Sequence, residues 1–146
     1  MKQGTTFAKN LTPNDTGETK SHQAGIHIPK GEGSPLQILP PLDDAILNPD
    51  AWIVCCDPDG VEWQVRFIYY NSNRHRPKAE GAARRTKGRD EYRITNIRKF
   101  LKSWGARSGD VLSITYDSPG KYLVRTDAPQ KLSPGVIKLR GWSQIC

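Results

Sequence analysis

The sequence predicts a mainly β domain of seven to eight short strands with two short helices, arranged as a barrel or a sandwich. Short runs of alternating apolar and polar residues recur from end to end. Gly, Pro, Asn or Asp bounds each run, and helical periodicity appears only in brief stretches.

In order, the strand segments are TTFAKNLT from residue 5, GIHIP from 25, AWIVCCD from 51, VEWQVRFIYYN from 61, YRITNI from 92, DVLSITYD from 110, KYLVRTD from 121 and VIKLRGW from 136. DPDG at 57–60 and DSPG at 117–120 carry turn chemistry that joins their flanking strands into hairpins. Helices are expected at 42–47, after Pro40 and Pro41, and at 96–104, where Ile97, Phe100, Leu101 and Trp104 share a face and Gly105 ends the run. The polar blocks 14–23 and 71–90 are expected as long loops, and the first dozen residues as a fraying end.

A length of 146 residues suits one domain with a real core. No stretch approaches the roughly 18 apolar residues of a membrane span. The start, MKQGTTFAKN, has no apolar run of the signal-peptide kind. A cytoplasmic location is therefore expected. Cys55, Cys56 and Cys146 make no disulfide framework, and His22, His27 and His75 are not spaced to converge with them on zinc.

Charge is concentrated. The chain carries +7 overall, and residues 74–102 hold eleven Lys or Arg against three Asp or Glu, so the rest of the chain is net −1. Such a segment either binds a polyanion or is a self-repelling loop.

A magnesium nuclease needs clustered carboxylates followed by a lysine. The one Glu-x-Lys, Glu18 to Lys20, precedes the Pro-Asp pairs at 49–50 and 58–59, and Gln64 stands where a lysine would follow Asp59. A small metal-dependent nuclease using Asp57, Asp59 and Glu62 stays open as an alternative. So does a non-specific nucleic-acid-binding module, for which only one of Tyr69 and Tyr70 could face outward to stack on a base.

The strongest constellation is KGRDEYRITNI, residues 87–97. On a strand, Lys87, Arg89, Glu91 and Arg93 project from one face. Arg or Lys can donate to guanine O6 and N7, and a carboxylate can accept from cytosine N4. Phosphate would repel Glu91, so a patch for the DNA backbone alone has no use for it. A surface ion pair between Glu91 and Arg89 or Arg93 explains the same spacing without DNA.

LTPNDTGETKSHQAGIHIP (11–29), FIYYNS (67–72) and KGRDEYRIT (87–95), in that order, resemble the N-terminal effector-binding domain of EcoRII-type restriction endonucleases. The resemblance implies an open pseudobarrel of the superfamily shared with plant transcription factors, and binding of double-stranded DNA by two arms in the major groove. It places the first arm at residues 14–27, with Lys20, Ser21, His22, Gln23 and His27, and the second at 87–93, with Lys87, Arg89, Glu91, Tyr92 and Arg93, of which Arg89 and Arg93 are expected to read guanine.

In the family the bound DNA is a CCWGG effector site of a type IIE enzyme. Cleavage, and the Mg2+ it needs, belong to a separate C-terminal nuclease domain, so the 146 residues are expected to form one non-catalytic domain without a cofactor of its own. Arg74, Arg76, Lys78, Arg84 and Arg85 fit phosphate contacts in this scheme. His27 stands where that family has tyrosine, and Tyr92 where it has lysine.

Overall fold

The structure is a computed structural model that describes residues 2–18, 25–75, 90–129, 138–139 and 141–145. It contains β1 (Thr6–Asn10), α1 (Pro13–Thr16), β2 (Ile26–Ile28), β3 (Asp50–Cys56), β4 (Glu62–Tyr70), α2 (Ser72–His75), β5 (Glu91–Thr95), α3 (Arg98–Ser103), β6 (Val111–Ser118), β7 (Lys121–Asp127), β8 (Lys138–Leu139) and β9 (Trp142–Ile145), with a 3-10 turn at Pro35–Gln37.

The strands form one sheet in the order β2-β5-β4-β3-β7-β6-β1-β9-β8. Every pairing is antiparallel except β3 with β7, which joins two antiparallel halves side by side. The two outer regions of the sheet meet through a side chain: the fully buried Trp142 of β9 donates its indole N–H to the carbonyl of His27 on β2, at 3.0 Å. This curled, incompletely laddered sheet is the open pseudobarrel, and the chain is mainly β as expected.

Period-two alternation sets the core. Ile53, Val65, Phe67, Ile94, Ile114 and Val124 point inward from five different strands. α3 closes one end, with Phe100 and Leu101 buried and Gly105 in the left-handed region just past the last turn. Both expected hairpins form, and the β3–β4 turn is locked by Asp57. Its Oδ1 accepts from the backbone N–H of Asp59 and Val61, and its Oδ2 from the indoles of Trp63 (2.9 Å) and Trp104 (3.0 Å).

Three expectations change. Residues 42–47 form turns rather than a helix. Asn71 donates to the carbonyls of Asp44 and Ile46, and Asp43 accepts from the Ala45 N–H, so the backbone groups a helix would use are engaged elsewhere.

The chain start does not fray. β1 pairs with β6 on one side and β9 on the other, and Phe7 and Ala8 are fully buried. The last expected strand, VIKLRGW from 136, is instead two, β8 and β9, paired antiparallel around Gly141. Sequence reading also passed over α1, although TPNDTG spells it out: Thr12 and Asp15 form a capping box, Pro13 opens the helix and Gly17 ends it in the left-handed region. The buried Lys9 pairs with Asp15 and ties α1 to β1.

Candidate nucleic-acid interface

β2 and β5 bring parts of the two expected arms together. They pair antiparallel, with Ile26 opposite Ile94, His27 opposite Arg93 and Ile28 opposite Tyr92. Ile26, Ile28 and Ile94 turn into the core. By alternation, His27, Glu91 and Arg93 share the outer face.

These three side chains form a polar cluster. Glu91 Oε1 accepts from Arg93 Nε at 2.8 Å, and Glu91 Oε2 lies 3.6 Å from His27 Nε2. Arg93 also donates from Nη1 to the Gly25 carbonyl at 3.3 Å. The His27 and Glu91 side chains remain 28% and 29% exposed, whereas the Arg93 side chain is only 8% exposed.

Gly25 is required where the first arm rejoins the sheet. Its φ is +82°, and a Cβ there would stand 2.1 Å from the Ile94 carbonyl oxygen. Only glycine fits so close to the neighbouring backbone. At the other end of the same arm, Gly17 lies against the Arg98 side chain, and Glu18 accepts from the Ser108 backbone N–H at 3.1 Å. That N–H bond is the main cause holding the Glu18 carboxyl below its ordinary range.

The second arm is pinned at its base too. Asp90, within the 87–93 arm, accepts at Oδ1 from the backbone N–H of Asn73 on α2 at 3.0 Å. His75 Nε2 lies 2.7 Å from the Asp44 carbonyl oxygen. Because β2 and β5 run antiparallel, the arms leave opposite ends of one strand pair. In this register Gly25 falls level with Thr95, five residues from Asp90, so at ~3.3 Å per residue the roots stand roughly 16 Å apart.

Tyr92 lies on the other face of β5. Its ring stacks on Tyr69 at 4.1 Å between centroids and on Phe67 at 5.6 Å, with the Lys30 ammonium 5.3 Å above Tyr69. Arg74 belongs to α2. Lys20, Ser21, His22, Gln23, Arg76, Lys78, Arg84, Arg85, Lys87 and Arg89 lie outside the described residues. Two residues that pin the arms, Gly25 and Asp90, were not singled out as site residues from sequence. The HQ-x-G spacing and the Asp at the head of β5 were the available signals.

Two of the three carboxylates of the nuclease alternative have partners within the protein. Asp57 has both oxygens bonded by N–H donors, and Glu62 sits 3.7 Å from Lys121. Burial pushes the Cys55 thiol up to about 12, the opposite of an activated nucleophile. Among the described residues, no three His, Cys, Asp or Glu side chains converge as a metal site. No helix among them is long and apolar enough to cross a membrane.

Comparison with known proteins decides the family. The description "Restriction endonuclease EcoRII, N-terminal" matches residues 1–112. The chain belongs to the EcoRII N-terminal family.

The type II restriction enzyme EcoRII of Escherichia coli is 36% identical over 84 residues, which are 56% of this chain and 20% of the enzyme. The match thus spans about a fifth of that relative's length. A hypothetical Arabidopsis thaliana protein, At1g16640.1, shares the fold at a TM-score of 0.51 and 15% identity, covering 90% of this chain and 99% of that one. The EcoRII N-terminal family is what the ordered motifs at 11–29, 67–72 and 87–95 resemble.

Proposed function

We propose that this chain is a sequence-specific double-stranded DNA-binding domain that grips the major groove with two arms, and that it is the effector domain of a type IIE restriction endonuclease. The observation that carries the reading is the partly exposed pair of Glu91 and His27, backed by the buried Arg93, between two pinned arm roots.

In this reading the contact set is Lys20, Ser21, His22, Gln23, His27, Lys87, Arg89 and Glu91, while Tyr92, stacked on Tyr69 behind the outer face, and the buried Arg93 support it from within. Arg89 donates to guanine, Glu91 accepts from cytosine N4, and His22 and Lys87 reach bases or adjacent phosphates. Arg74, Arg76, Lys78, Arg84 and Arg85 hold the phosphate backbone and steer approach. The site is CCWGG-like. The domain acts in the cytoplasm as one non-catalytic unit, and Mg2+ and cleavage belong to a separate C-terminal nuclease domain that binding here activates allosterically.

A competition gel shift tests this reading. A CCWGG duplex is expected to displace the bound probe at far lower concentration than a scrambled duplex of equal length, and equal competition would defeat it. Plasmid incubated with the chain and magnesium is expected to stay intact. Cleavage would favour the nuclease alternative, in which Asp57, Asp59 and Glu62 hold a metal.

A further inference from the structure

We propose that Arg93 is a positioning residue that braces both arms at once, a role that rests on the DNA reading above. Arg93 is 6% exposed. A guanidinium so removed from water is stable only when paired and hydrogen-bonded. Its planar fork meets two acceptors that belong to different arms: Nε donates to Glu91, where the second arm enters β5, and Nη1 donates to the carbonyl of Gly25, where the first arm rejoins the sheet. These acceptors lie 66 residues apart in sequence and on neighbouring strands.

The brace also aims Glu91. With Oε1 directed at Arg93, Oε2 is the oxygen turned toward His27. That oxygen, on a side chain 29% exposed, is the acceptor offered to a base donor. A brace and a guanine reader differ in what their loss does. A reader's loss relaxes one base-pair position, whereas loss of the brace frees two arms together.

Two readouts on Arg93→Gln separate them. In the DNA-free domain, amide exchange in segments 25–28 and 91–95 is expected to quicken about tenfold, the scale of a lost hydrogen bond to a charged group, while the Asp57 hairpin is unchanged. On duplexes with single substituted pairs, discrimination is expected to fall both at the positions that His22→Ala affects and at those that Arg89→Ala affects.

Unchanged exchange with one flattened base-pair position would overturn the brace, as would uniform acceleration that includes the hairpin. Should Arg93→Gln fail to fold, Arg93→Lys keeps the charge without the fork and is expected to loosen at least one root; loosening neither overturns the proposal. If the unmodified domain does not discriminate between duplexes, the DNA reading fails, and the exchange result still judges the brace.

Discussion

Two carboxylates at different places on the sheet are used in opposite ways. Asp57, in the β3–β4 turn, accepts four N–H bonds and is 6% exposed. Glu91, at the root of the second arm, has one oxygen on Arg93, the other 3.6 Å from His27, and a side chain 29% exposed. An acid surrounded by inward-aimed donors holds a turn and a helix in place. In the proposed reading, an acid braced on one side and partly exposed on the other is prepared to accept from a base outside the protein. Neighbouring donors, more than residue type, separate structure from recognition here.

The largest effect is expected from breaking the saturated acid. Asp57→Ala leaves two indole and two backbone N–H groups without their acceptor, and thermal denaturation should show Tm falling by roughly 10 °C or more. Acid sensitivity sharpens the same point. Burial works to raise the Asp57 carboxyl, but the donors of Trp63, Trp104, Val61 and Asp59 outweigh it and hold the group below its ordinary value.

A carboxyl with a lowered folded-state pKa stabilises fully above its unfolded value of about 3.9. That contribution is lost as pH falls through the lowered folded value. Below about pH 4, Tm of the unmodified domain should therefore decline more steeply than that of Asp57→Asn.

Next in size is Gly25→Ala. The added Cβ meets the Ile94 carbonyl and takes a left-handed φ, which should cost about 1–3 kcal/mol in a denaturant titration and displace the first arm from the site. Glu91→Gln should leave the fold intact and lose about 1–3 kcal/mol of discrimination at one base-pair position, read by competition binding. Smallest is Arg84→Ala: binding to every duplex should weaken alike, and the slope of log affinity against log salt should flatten by about 1.

The strands were legible because alternation and turn residues are local signals, and α3 because Phe100, Leu101 and Gly105 fall at helical positions. Residues 42–47 misled because the group that unravels a helix there, Asn71, arrives from the far end of β4. At the site, period two placed Glu91 and Arg93 on one face correctly. Neither the burial of Arg93 nor the need for Gly25 could be read, because both arise only when β2 is laid against β5. The stacking of Tyr92 was hidden likewise, since Tyr69 and Phe67 come from β4.

The central claim, that this domain reads DNA sequence, is tested most directly by titrating it against duplexes that each carry one substituted base pair. The account predicts penalties of about 1–3 kcal/mol per pair, confined to a short contiguous CCWGG-like run and absent on either side. A flat profile, with every duplex bound alike, would contradict it.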